Sequence, residues 1–161
     1  MVITNRHVVN GADLDHWAED LIEDGDRPVV TAAEVLDVTE TGPDPHLWFE
    51  LAGVPAVARA VTAALVAADP AGRTAYERNL DHFLAEFRPV LADAVALRDA
   101  HRGAPVATTE RVVDRLLATA GLDVVSPPGF ASAVEEGEEP TARDTAAMDA
   151  LLTDGRARLL V

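Results

Sequence analysis

PAGRTAYERNLDHFLAEFRPVLADAVALRDAH, residues 70–101, carries apolar side chains at Tyr76, Leu80, Phe83, Leu84, Phe87, Val90, Leu91, Ala94, Val95 and Leu97. That three-and-four spacing predicts one amphipathic helix with a single buried stripe. At about 1.5 Å per residue the run spans roughly 45 Å, enough to act as a strut that holds two lobes at a fixed separation. The same periodicity also suits one more core helix of a bundle. Pro89 lies inside the run, where a proline removes a hydrogen bond and costs about 3 kcal/mol unless the helix kinks. A bend or break is therefore expected between Glu86 and Pro89.

Ahead of the strut, Val2 to Asn10 reads as a short strand that stops at the turn signal Asn10-Gly11. Asp13 can cap a following helix whose apolar face is Leu14, Trp17, Ala18, Leu21 and Ile22. Pro28 to Val30 is a second strand candidate, and Val35 to Gly42 reads as an acidic loop. A helix from Val54 to Ala68 tolerates Pro55 in its first turn and ends at Asp69-Pro70.

Behind the strut, Pro105 to Thr108 is a short β-type run, and Glu110 to Ala120 is helical with Gly121 as its C-cap. Leu122 to Val125 is a strand, and Ser126 to Glu139 is a loop by composition. Thr141 caps a helix through Leu152, with Asp144 completing a capping box, and Arg158 to Val161 is an apolar strand. Strands alternating with helices imply βαβ units and a mainly parallel sheet, an α/β fold.

Composition narrows the function classes. A chain of 161 residues with 48% hydrophobic content and net charge -15 reads as a folded domain or two small lobes. That charge repels nucleic acid and anionic lipid, and it suits cations as partners. All 13 basic residues are arginine, and cysteine is absent, so disulfides, thiolate metal sites and cysteine nucleophiles are excluded. No apolar run reaches the 18 or so residues of a membrane helix, and MVITNRHVVNGAD has neither an apolar h-region nor a cleavage site.

Two places offer metal-grade ligands. His46 sits in the proline-stiffened turn Asp44-Pro45-His46-Leu47-Trp48, and Glu110 follows Thr108-Thr109 at the C-terminal end of a strand, where open α/β sheets hold ligands. An imidazole with a carboxylate suits divalent manganese, iron or zinc. The plainer readings are a turn histidine and a first-turn acid favoured by the helix dipole. His7, His16, His82 and His101 carry no ligand role, and the acidic run Glu135, Glu136, Glu138, Glu139 reads as a solvated loop. GxSxG, HExxH, phosphate-loop and CxxC patterns are all absent, and Ser126 and Ser132 lack His and Asp partners at any recognisable spacing.

In order, the pieces VVNGADLDHWAEDLI, DPHLWFELAGVPAVARAVTAAL, TAYERNLDHFLAEF, PVATTERVVDRLLATAGL and AVEEGEEPTARDTAAMDALL resemble the zinc/manganese ABC-transporter solute-binding proteins. The resemblance implies two α/β lobes joined by one long helix, with a divalent metal held between them. On this chain it divides into a partial N-terminal lobe at 1–69, the connecting helix at 70–102 and a partial C-terminal lobe at 103–161. His46 in DPHLW matches the family's second histidine ligand. Glu110 in ATTERV matches its third, which is Glu or His in different members.

The family's first histidine precedes the strand that here begins at Val2, and its final acid follows the strand that ends at Val161. The chain therefore reads as the interior of a longer protein, with unpaired sheet edges that predict self-association. Glu50-Leu51 stands where many members have Asp-Pro.

The resemblance implies extracytoplasmic capture of Mn2+ or Zn2+, as transported cargo, for delivery to an ABC-transporter permease. A glutamate at the third ligand position, and no histidine-rich insert in Thr31 to Pro43, lean toward manganese. A non-binding structural remnant and a metal-dependent hydrolase are the alternatives, and nothing supplies the hydrolase with a general base.

Overall fold

The computed structural model describes residues 7–22, 29–38 and 44–161. The chain separates into two compact units, Met1–Leu91 and Ala92–Val161. Each unit is built around a two-stranded parallel sheet with helices, so the α/β class expected from the sequence holds.

In the first unit, β1 (His7–Val9) pairs in parallel with β2 (Val29–Thr31), His7 opposite Val29 and Val9 opposite Thr31. The parts of the expected strands at 2–6 and at Pro28 lie outside the described residues, as does the 39–42 part of the loop expected over Val35 to Gly42, whose first residue instead ends a short helix. The chain turns at Asn10-Gly11, where the Asp15 carboxylate accepts the backbone N–H groups of both residues, at 2.6 and 2.8 Å. Helix α1 (His16–Ile22) starts later than expected. Asp13 consequently faces its first residue, with Oδ1 3.0 Å from His16 Nε2. A short α2 (Ala32–Val35) follows β2 directly.

Helix α3 (Val54–Ala68) has the bounds its sequence predicts and packs on β2 and α2. It ends because Asp69, ahead of a proline, takes an extended backbone with φ -136°. The Asp69 carboxylate then accepts the N–H of Ala71 at 3.1 Å and the Tyr76 hydroxyl at 2.9 Å.

The strut appears as α4 (Arg73–His101), a 29-residue helix, which at about 1.5 Å per residue is roughly 43 Å long. Both units take part of it, with the division after Leu91. One expectation for it fails and another holds in part. The helix is not broken at Pro89 but continues through it; the carbonyl that loses its donor there belongs to exposed Ala85, a position where the lost bond is open to solvent. The stripe is also far less covered than its periodicity implies, since only Ala94 is buried while Phe83 and Val90 remain 42% and 45% exposed. Helical spacing creates an apolar face; it does not supply the surface that covers it.

In the second unit, β3 (Pro105–Val106) pairs in parallel with β4 (Asp123–Val124), Val106 opposite Val124. On the other side of β3, Ala107 bridges Leu160 in parallel, so the expected final strand is present as a single bridge. Helix α5 (Asp114–Thr119) closes through Gly121 in a Schellman arrangement: Leu122 N–H bonds Leu117 C=O and Gly121 N–H bonds Ala118 C=O. Gly121 has φ +67°, and a Cβ there would lie 2.5 Å from Arg98 Cγ.

The loop expected over Ser126 to Glu139 contains α6 (Pro128–Glu135), started by Pro128 and packed against α7 (Ala142–Thr153). Thr141 caps α7 as predicted: its Oγ1 accepts the Asp144 N–H at 3.1 Å and donates to Asp144 Oδ2 at 2.7 Å. Ala107, Met148, Leu151 and Ala157 form the buried cluster of this unit, with Val125, Phe130 and Leu152 against it. Each large apolar side chain so buried contributes about 1.5–3 kcal/mol. Among the described residues no helix is long and apolar enough to cross a membrane.

Candidate functional site

His46 is placed by the turn that precedes it. Asp44 Oδ1 accepts the backbone N–H of His46 at 3.0 Å, an Asx turn closed over Pro45. The same oxygen lies 2.6 Å from His46 Nδ1, with both side chains largely buried at 16% and 11% exposed. A carboxylate only accepts, so Nδ1 is the donor of this contact, and in the neutral ring Nε2 is the nitrogen that bears the lone pair. Trp48 packs edge-on against the imidazole at 5.2 Å, and the turn continues into the short 3-10 helix Leu47–Phe49 with Leu47 buried. A histidine oriented by a carboxylate through Nδ1 is the usual form of a metal-ligating imidazole.

Beside this turn an apolar cavity of about 440 Å³ is lined by Leu47, Trp48, Val57, Phe83 and Phe87 among others. The last two rings stack at 5.7 Å. Asn10 brings an amide to the otherwise largely apolar lining, and that amide already donates to Gly11 and Pro45 carbonyls, each at 2.9 Å.

Glu110 lies in the other unit, in a bend four residues ahead of α5, not in the first turn of a helix as expected. It is exposed, and its carboxylate makes no hydrogen bond or ion pair among the described residues. The backbone around it is held tightly. Thr108 N–H donates to Ser126 Oγ at 2.6 Å, and Ser126 Oγ donates back to Thr108 C=O at 2.8 Å. Thr109 N–H donates to Val161 C=O at 3.0 Å. Arg111 N–H donates to Glu135 Oε1 at 2.8 Å. Thr108, Ser126, Arg111 and Asp114 line a second cavity of about 280 Å³ beyond the C-terminal ends of β3 and β4.

The other histidines are placed as solvent-facing or strand residues. His82 lies 3.8 Å from Glu86 with both exposed, His101 ends α4 exposed, and His7 is in β1. Of the acidic run, Glu135 is exposed as expected but is the last residue of α6 and not of a loop, with a defined acceptor role. Among the described residues no three His, Asp or Glu side chains gather closely enough to hold a metal.

Sequence reasoning assigned no role to Asp44 or to the Ser126–Thr108 pair. The first was legible as an Asx turn, an acid two residues ahead of a histidine across a proline. The second was legible from register: Thr108 and Ser126 each stand two residues beyond the paired Val106 and Val124.

Comparison with known proteins gives one consistent outcome. The chain is similar over 97% of its length to the metal-dependent lipoprotein YcdH from Bacillus subtilis, at TM-score 0.75 and 18% identity, and covers 59% of that chain. It is similar over 91% of its length to the solute-binding protein FpvC from P. aeruginosa, solved in complex with Ni2+, at TM-score 0.68 and 26% identity, covering 55% of that chain. Over 93% it is similar to the periplasmic zinc-binding protein TroA from Treponema pallidum, at TM-score 0.71 and 17% identity, covering 56% of that chain. The chain therefore spans somewhat more than half the length of these solved relatives. No curated protein matches it. The family model described as zinc-uptake complex component A, periplasmic, matches residues 5–161, and the chain belongs to that family, the ZnuA family.

Proposed function

We propose that the chain is part of the extracytoplasmic solute-binding component of an ABC importer, capturing Mn2+ or Zn2+ as cargo with His46 and Glu110 among its ligands. The family match over residues 5–161 carries the reading. The Asp44-oriented imidazole supports it chemically, because a carboxylate at Nδ1 leaves Nε2 of the neutral ring as the nitrogen able to ligate. Glu110 adds an unengaged carboxylate, whose hard oxygen favours Mn2+ over an all-nitrogen set. The division into lobe, helix and lobe at 1–69, 70–102 and 103–161, the permease as partner and the periplasmic or cell-surface location belong to the same proposal. It includes no catalytic role, since the family is one of metal uptake and not of enzymes.

The test is the thermal unfolding midpoint of chelator-stripped protein with and without Mn2+ and Zn2+. Metal at about 100 times its Kd adds roughly 2.7 kcal/mol, a shift of about 5–10 °C for a chain of this size. The shift is expected to disappear in His46→Ala and to shrink in Glu110→Ala. No shift with either metal, or the same shift in both variants, overturns the site and leaves a structural remnant of the family.

A further inference from the structure

Glu110 is flanked by backbone donors that are all committed to distant acceptors. Thr108 N–H goes to Ser126 Oγ, Thr109 N–H to Val161 C=O and Arg111 N–H to Glu135 Oε1. Two of the three acceptors are side chains, so they are open to substitution without altering the backbone. Thr108 is 1% exposed and sits at the end of the β3 ladder, which anchors one side of the bend. Glu135, at the end of α6, anchors the other. Among the described residues no side chain holds the Glu110 carboxylate.

We propose that Ser126 and Glu135 are positioning residues for Glu110, fixing the Thr108–Arg111 backbone so that its carboxylate is presented for metal in one pose. The inference rests on the reading of Glu110 as a ligand. A carboxylate on a free bend samples many directions and loses that freedom on coordination, whereas a clamped bend has already lost it on folding. Glu135 thus acts through a hydrogen bond to the backbone beside the ligand, and its negative charge is not what the role requires.

That distinction gives the test. Mn2+ and Zn2+ are titrated by calorimetry into wild type, Glu110→Ala, Ser126→Ala, Glu135→Ala and Glu135→Gln, with amide hydrogen exchange at Thr108 and Arg111 measured in the metal-free proteins. The expected result is a 3- to 30-fold loss of affinity in Ser126→Ala and Glu135→Ala, with faster exchange at the adjacent amide; the unfolding midpoint stays near wild type in Glu135→Ala, whose site is exposed, and falls in Ser126→Ala, where buried Thr108 loses its partner. Glu135→Gln keeps an oxygen acceptor and is expected to retain affinity within about two-fold and slow exchange at Arg111. Equal losses in Glu135→Gln and Glu135→Ala overturn the proposal in favour of a long-range charge effect. Binding lost in Glu110→Ala but unchanged in Ser126→Ala and Glu135→Ala overturns it while Glu110 stands as a ligand. Binding indifferent to Glu110→Ala, or absent in wild type, overturns the ligand reading itself and the positioning roles with it.

Discussion

Asp44 Oδ1 contacts His46 twice, accepting from its backbone N–H at 3.0 Å and from Nδ1 at 2.6 Å. One oxygen therefore sets both the path of the turn and the tautomer of the ring. Removing it in Asp44→Ala is expected to weaken Zn2+ or Mn2+ binding by about 10- to 100-fold, the usual effect of losing a carboxylate behind a ligating imidazole. Asp44→Asn keeps the acceptor for the backbone N–H and should lose less. Titration calorimetry of the two variants checks the order; equal affinity in both and in wild type would count against the assignment.

Tyr76 is the only tyrosine in the chain, so its ionisation can be followed directly by ultraviolet absorbance. Its hydroxyl donates to Asp69 at 2.9 Å. That hydrogen bond, then desolvation and the negative charge of Asp69, raise its pKa above the usual 10.0. A folded-state pKa raised above the unfolded value gives a contribution that is fully present below about pH 10 and is lost as pH climbs through the folded value. Asp69→Ala is expected to bring the titration midpoint back toward that of a free phenol. An unchanged midpoint would contradict the bond.

Gly121 and Gly155 both adopt left-handed backbone, at φ +67° and +68°, but differ in surroundings. A Cβ on Gly121 meets Arg98 Cγ at 2.5 Å, whereas one on Gly155 meets nothing within 4 Å. Alanine at Gly155 should cost about 1–2 kcal/mol from backbone strain alone. Alanine at Gly121 should cost more, because the Arg98 side chain must also move. Urea unfolding of the two variants measures the difference.

Pro89→Ala is expected to stabilise the protein. The helix is continuous there, so alanine restores a backbone hydrogen bond and removes a penalty of up to about 3 kcal/mol. A fall in the unfolding midpoint would mean that proline has a packing partner worth more than the lost bond.

Exposed apolar groups support self-association as a further expectation. Trp17, Leu159 and Trp48 are 70%, 51% and 48% exposed, and large uncovered apolar surface tends to find a partner. Size-exclusion chromatography with light scattering should show mass rising with concentration; a constant monomer mass would exclude it.

The elements most legible in the sequence are those whose signals are local. The bounds of α3 follow from a run of apolar residues between a tolerated proline and Asp69-Pro70. The start of α7 follows from Thr141 and Asp144, and the end of α5 from Gly121. What escaped depends on contacts between distant residues. Gly129, Ser132 and the glutamates around α6 weaken its periodicity, and the helix is secured by packing against α7. Glu110 looks like a first-turn acid, yet the next residue's N–H is taken by Glu135, 24 positions away, and the helix starts later. His46 and Glu110 were legible as residues of interest; of the groups that orient their surroundings, Asp44 and Ser126 carried a local or register signal that was not read, whereas Glu135, 24 positions from the amide it accepts, carried none.

The edge-on contact of Trp48 with the His46 imidazole, at 5.2 Å, makes the protein its own optical sensor. An indole packed edge-on against an imidazole changes its emission when that ring gains a proton or a metal. With Trp17 replaced by phenylalanine, Trp48 is the sole indole. Its fluorescence would then report occupancy at His46 in real time, and paramagnetic Mn2+ would darken it more than closed-shell Zn2+.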